Sequence, residues 1–190
     1  MTEQRQNLKS QRAALDHESR DQAALLIADQ IAKFPAVVRA KNIAVYHAVR
    51  GEIDCAPLTN KPILRKKRIF LPVLKKNRLK FAAVNESSNW TFNRFGILEP
   101  VYTNCDIVPG QLLDIIVVPL VAFDANCNRI GMGGGFYDRT LAFRKRRGKW
   151  CKPLLIGVAY SFQRIDNIQP QPWDVPLDCV VTEKECFGSC

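Results

Sequence analysis

Apolar residues recur at helical spacing through residues 2–34, with Leu8 and Leu15 a heptad apart and Leu25, Leu26 and Ile31 continuing the stripe. Asp16 is placed to cap a second helix, so two helices with a break at residues 15–17 are expected. The period then changes. Residues 42–49 (NIAVYHAV) predict a short buried strand, followed by a turn and a helix over 54–66. Two strand-like runs, 68–74 and 79–84, flank a basic turn and should pair as a hairpin. Residues 114–123 (DIIVVPLVAF) are crowded with β-branched side chains and fit no 3.6 period, which marks a strand buried on both faces. A helix over 137–147, a strand within 153–160, a proline-rich loop at 168–176 and a last strand within 178–183 complete the chain. Strands alternating with helices predict an α/β domain with a mostly parallel or mixed sheet covered on both faces.

One stretch resists an architectural explanation. Gly131-Met132-Gly133-Gly134-Gly135-Phe136-Tyr137-Asp138-Arg139 joins the central strand to the following helix. Glycine gives up about 1 kcal/mol against alanine in a helix, so three in succession need an offset. Close approach of backbone to a ligand is one, and a tight turn with positive φ is the other. Amides at a helix start lack intrahelical partners and carry roughly half a positive charge, which favours an anion. Arg129 and Arg139 suit phosphate, and the Asp138 carboxylate beside such a site suits a divalent cation. The loop is no Walker motif, since Phe136 and Tyr137 follow Gly135 where Lys and Ser or Thr would be needed. The dinucleotide fingerprint fails as well, because Phe136 stands in place of its third glycine.

Other candidates are less specific. Arg5, Lys9 and Arg12 share a helix face, which by itself suits a solvated surface. Glu52 lies just past a strand end, where open α/β sheets place ligand contacts, although a first-turn acid is also favoured by the helix dipole. His47 could join the same pocket or simply pack. Phe95, with Trp90 and Phe92, could pin its loop to the core. Asp174 and Asp178 flank the last turn and either could cap it.

Composition narrows the class. The 190 residues suffice for one domain with a full core, and 47% apolar with 24% charged residues is ordinary for a globular protein. No apolar run reaches the ~18 residues of a membrane span, and the polar start shows no secretory signal. Seven cysteines without a Cys-x-x-Cys pair argue against a disulfide framework or zinc site, so free thiols in a reducing cytoplasm are expected. The net charge of +10 comes from clusters at 65–68, 75–80 and 144–149. Nucleic acid could use them, but interleaved aromatics and groove-reading motifs are absent, so a solvated basic face or a field steering anions inward fits better.

The glycine loop, preceded by Val-Pro-Leu-Val-Ala-Phe-Asp at 118–124, closely resembles the 5-formyltetrahydrofolate cyclo-ligase family, also called methenyltetrahydrofolate synthetases. The likeness covers residues 5–183 and includes Trp-Asp-Val-Pro-Leu-Asp at 173–178. It implies a three-layer αβα fold and ATP-driven, Mg²⁺-dependent closure of 5-formyltetrahydrofolate, which in cells often carries a polyglutamate tail, to the 5,10-methenyl form. By the same resemblance, Arg5, Lys9, Arg129, Gly131, Met132, Gly133, Gly134 and Gly135 would surround ATP with Phe136 and Tyr137. Asp138 and Asp178 would hold Mg²⁺. Glu52, His47, Phe95, Phe136 and Tyr137 would face the folate, with Arg129, Tyr137 and Asp138 nearest the chemistry. The family commonly has Lys then Arg where Arg5 and Lys9 stand, often Arg at Met132, and often Trp at Phe95. A monomer is expected. The rival readings are another ATP-dependent ligase or kinase, and a nucleic-acid-binding protein.

Overall fold

The computed structural model describes residues 2–103, 106–146 and 152–189. Asp16 acts as its position predicts: its carboxylate accepts the Ser19 backbone N–H at 2.8 Å, separating α1 (Thr2–Ala14) from α2 (His17–Ala32). After α3 (Pro35–Arg39) comes β1 (Asn42–Ala44), shorter than the strand expected over 42–49. Beyond it, Arg50 and Gly51 take φ of 52° and 75° and turn the chain off the sheet. The Tyr46 hydroxyl, donating to the Ile53 carbonyl at 2.7 Å, closes that loop.

The helix expected over 54–66 is broken into α4 (Ala56–Thr59) and a 3-10 turn, Pro62–Leu64. Pro62 has no N–H to give and forces Lys61 into an extended conformation (ψ 138°), so the helix cannot continue. The expected hairpin forms from β2 (Arg68–Lys75) and β3 (Arg78–Val84), with Lys76 and Asn77 as its turn. A small second hairpin, β4 (Trp90–Phe92) with β5 (Leu98–Pro100), stands apart from the main sheet. Next come β6 (Ile107–Val108) and β7 (Ile115–Pro119).

The apolar run 114–123 therefore divides. Pro119, without an N–H for the ladder, ends β7, and β8 (Ala122–Phe123) turns back on β9 (Arg129–Ile130). Buried Asp124 stitches this hairpin by accepting from the backbone N–H groups of Asn126, Asn128 and Ile168. The helix after the glycine loop, α5 (Phe136–Leu141), has only six residues before it tightens into 3-10 geometry at Ala142–Arg146. The last strands are β10 (Leu154–Val158), β11 (Cys179–Val181) and β12 (Cys186–Gly188).

Eight strands form one mixed sheet in the order β12-β11-β10-β7-β1-β2-β3-β6. The five central strands run parallel, and β12 and β3 pair antiparallel at either side. Alternation along them fills two apolar layers. Ile115, Val117, Ile156 and Val181 face the side covered by α2, with Ala24, Ile27 and Ile31. Ile116, Val118, Leu155 and Val180 face the other side, with Phe70, Phe81 and Leu141. Helix α1 lies outside these layers, where Leu8 packs with Val121, Ala122, Ile130 and Ile168. Cys55, Cys127 and Cys186 are free thiols as expected, but Cys179 is disulfide-bonded, which corrects the expectation of free thiols throughout. The third basic cluster extends through residues 147–149, outside the described residues.

Candidate active site

A cavity of about 1120 Å³ opens past the carboxyl ends of β1 and β7, the edge at which parallel sheets bind ligands. Five regions meet there: the α1 face carrying Arg5 and Lys9, the loop from Tyr46 to Glu52, β2 with the β4–β5 turn, the glycine loop with α5, and the loop at 168–174. It brings together Arg5, Lys9, His47, Glu52, Phe95, Arg129, Gly131, Met132, Gly133, Gly134, Gly135, Phe136, Tyr137 and Asp138. Asp178 is not among the lining residues.

The glycine loop presents main chain rather than side chains. Gly133 and Gly135 have φ of 101° and 62°, a region that L side chains enter at a cost. Gly133 and Gly134 are exposed, and a Cβ at Gly131 would meet nothing within 4 Å. Six helical residues make a weak dipole, so anion affinity must come from these amides and from neighbouring cations. Arg5 is close by, its Nη1 3.6 Å from a Cβ placed on Gly133. Burial and the charges of Arg5, Arg50 and Arg12 push the Lys9 ammonium below its usual range, so an anion bound there would relieve a like-charge cluster. Arg129 is committed differently from the phosphate contact expected of it. Its Nη2 donates to Asp138 Oδ1 at 2.6 Å and its Nη1 to the Val175 carbonyl, which ties the carboxylate to the end of the loop that follows Ile168. Arg139 likewise spans the Asn77 and Gly134 carbonyls at 2.7 and 2.6 Å.

The organic side of the cavity is aromatic and acidic. Phe95 meets Phe136 edge to face at 5.9 Å and is half exposed, a platform with one side open. Glu52 is 6% exposed, and its Oε2 accepts the Val49 N–H at 3.2 Å. Burial pushes its carboxyl above the usual range, and Arg12, Val49 and Arg50 oppose the shift. Burial, reinforced by Glu52 and Cys55, also pushes the Tyr137 hydroxyl far up, so it remains a donor at any physiological pH.

The carboxylates differ from the expected pair. Asp178 precedes β11 at its amino end, where it accepts two bonds from Arg144 at 2.6 and 2.8 Å and the Leu155 N–H at 2.7 Å. That end of the strand lies away from the cavity, and the contacts are those of a strut between 3-10 turn and sheet. Asp174 lines the cavity with Asp138 instead. Asp138 Oδ1 also accepts the Val175 N–H at 3.2 Å, while Oδ2 has no hydrogen-bond partner among the described residues. Two carboxylates suit Mg²⁺, which takes one or two and completes its shell with water and substrate phosphates. Such a site needs no cluster of three acidic, His or Cys ligands, and none occurs among the described residues.

The 5-formyltetrahydrofolate cyclo-ligase family model matches residues 1–183. This chain belongs to that family. The cyclo-ligase of Escherichia coli strain K12 is 35% identical over 183 residues, covering 95% of this chain and 98% of its own. That of Haemophilus influenzae is 37% identical over 183 residues, covering 93% and 96%. Among solved structures, the Aquifex aeolicus 5,10-methenyltetrahydrofolate synthetase superposes with a TM-score of 0.83 at 34% identity, covering 98% of this chain and 91% of the other.

Within the cyclo-ligase cavity, the residues missed from sequence are of two kinds. Leu71, Pro72 and Leu74 line it from β2, and as hairpin residues they carried no signal. Trp173, two-thirds exposed beside Asp174, did carry one: a large apolar ring in a proline-rich loop has little reason to face water unless a ligand covers it. Arg12, taken as part of a solvated helix face, is instead 1% exposed.

Proposed function

We propose that this chain closes 5-formyltetrahydrofolate to 5,10-methenyltetrahydrofolate at the expense of ATP, inside the cavity just described. One observation carries the reading: a bare-backbone loop with cations beside it and an aromatic, carboxylate-bearing wall share a single cavity, so a triphosphate and a pterin could lie end to end. Arg5, Lys9 and the amides of Gly131, Gly133 and Gly134 would hold the phosphates. Glu52 would pair with the pterin amino and ring N–H donors, two hydrogens matched to a carboxylate. Phe95 and Phe136 would cover the ring face, with His47 beside them.

A formyl amide is a poor electrophile because its oxygen is a poor leaving group. Transfer of the γ-phosphoryl to that oxygen breaks the bond to the β-phosphate, releases ADP and leaves an iminium phosphate on N5. N10 then attacks the formyl carbon, the C–O bond breaks, phosphate departs and the N10 proton passes to solvent. Placement and charge neutralisation suffice for this sequence, and no side chain is required as a nucleophile. Asp138 and Asp174 would hold Mg²⁺, which when bound would help neutralise the phosphate charge. Arg129 keeps Asp138 in place and ties it to the Trp173 loop, and the Tyr137 hydroxyl would donate toward the reacting end. The cytoplasm, which supplies ATP, suits this reaction, and among the described residues no helix is long and apolar enough to cross a membrane. Protein mixed with MgATP and 5-formyltetrahydrofolate should develop the near-ultraviolet band of the methenyl product. ATP binding without that band would overturn the proposal.

A further inference from the structure

We infer that Arg12 is a positioning residue, aiming the Glu52 carboxylate into the cavity while leaving its oxygens open to substrate. The inference rests on the reading of Glu52 as a substrate contact. Arg12 follows Arg5 and Lys9 along α1, yet its side chain passes behind the cavity wall and is 2% exposed. Its Nε donates to the Arg50 carbonyl and its Nη1 to the Leu120 carbonyl, both at 3.2 Å. These carbonyls belong to the loops that leave β1 and β7, so the guanidinium is clamped between the two segments framing the site. The remaining nitrogen, Nη2, is buried without a hydrogen-bond partner among the described residues and stands 3.9 Å from Glu52 Oε1.

That spacing is the informative part. It is too long for a hydrogen bond but close enough for strong attraction where water is excluded. Arg12 therefore supplies charge without consuming the lone pairs a ligand would need. A guanidinium placed only for architecture would be expected to saturate all its donors, since a buried unpartnered one is costly. The loop bearing Glu52 lies close against the α1 backbone, because a Cβ at Gly51 would sit 2.9 Å from the Arg12 carbonyl. Burial opposes ionisation of Glu52, and Arg12 is the first of the groups that counter it. The other groups facing Glu52 are Arg50 in its own loop, Tyr46, Cys55 and Tyr137, and burial pushes those last three upward, away from the acid range. His47 lines the same cavity.

The test compares Arg12→Gln, Arg12→Lys, Glu52→Gln and the Arg12→Gln/Glu52→Gln double variant in steady-state kinetics. Arg12→Gln should raise KM for 5-formyltetrahydrofolate about ten- to a hundredfold and leave KM for ATP within about threefold. The acid limb of kcat/KM for the folate should move to higher pH. Arg12→Lys should restore that limb, since it keeps the charge, but only part of the KM, since it cannot span both carbonyls. The double variant should be no worse than Glu52→Gln. Equal rises in both KM values, or an unchanged folate KM in a variant that melts like wild type, would overturn the inference. Should Arg12→Gln not fold, Arg12→Lys decides alone, because its defect must vanish in the Glu52→Gln background. An unchanged folate KM in Glu52→Gln itself would instead refute the role of the carboxylate, and the inference would fall with it.

Discussion

Gly131→Ala isolates the claim that uncovered main chain holds the triphosphate. A Cβ there meets nothing within 4 Å and the residue has no positive φ, so the folded state should tolerate it. Restricting the unfolded chain should even add about 0.4–1 kcal/mol of stability, a rise in Tm of roughly 1–4 °C for a protein of this size. If a phosphate oxygen approaches this backbone, the added methyl displaces it. Losing one charge-assisted hydrogen bond costs about 1.5–3 kcal/mol, so KM for ATP should rise roughly ten- to a hundredfold. Gly135→Ala provides the contrast. Its φ of 62° imposes a left-handed penalty of about 1–2 kcal/mol, and the new Cβ would lie 2.7 Å from Arg139 Nη1, so Tm should fall by roughly 2–8 °C. Thermal melts followed by circular dichroism, with ATP titrations of the methenyl absorbance, read both effects. A Gly131→Ala enzyme of normal Tm and unaltered ATP KM would refute the reasoning.

Further outcomes follow from the same geometry. Asp138→Asn should lower kcat at least about a hundredfold, with added Mg²⁺ unable to restore it, whereas Asp178→Asn should cost about 2–4 kcal/mol of stability by loosening Arg144 and leave the Mg²⁺ activation constant unchanged. Metal titrations and melts of the two variants distinguish them, and a shifted constant in Asp178→Asn would contradict the strut role. Phe95→Ala should raise folate KM about tenfold with little change in Tm, because the ring is already half exposed; an equal loss for ATP would point to a distorted loop. Because burial raises the Glu52 carboxyl, protonation begins above its ordinary 4.5, so folate KM should climb on acidification earlier than for an exposed glutamate. The matching stability contribution has the opposite sense, favouring the fold below the unfolded pKa and fading as pH rises through the folded one. An acid limb no higher than that of a free glutamate would count against it. The cations Arg78, Arg139 and Lys145 on the cavity wall predict tighter binding of polyglutamylated than monoglutamylated folate at low salt, with the advantage shrinking as salt rises. Equal affinities at low salt would remove that role.

Elements with a strong local signal were legible in the sequence. The Asp16 cap, the β2–β3 hairpin and the doubly buried β7 follow from period, capping chemistry and β-branching alone. What escaped were features decided by proline or by tertiary demand. Pro62 cut a helix that composition favoured, and Pro119 ended a strand that hydrophobicity would have continued. The glycine loop announced the site because its backbone cost needed an explanation. Arg12 gave the opposite impression, since a cation at helical spacing looks solvated until the partner loops are known. Asp178 was misplaced for a related reason: a motif carries a carboxylate into register without saying which end of its strand faces the ligand.

Helix α1 buries only Leu8 and Arg12 among its described side chains and rests on a small apolar patch outside both main layers. Its amino-terminal turns, ahead of both of these anchors, open at little free-energy cost. Their amides should therefore exchange with deuterium well before those of β7 or β10 in the empty enzyme, and slow once a polyanion bridges the cations of α1 to the glycine loop. The segment supplying much of the positive charge would then also report occupancy, since its rigidity depends on what is bound beneath it.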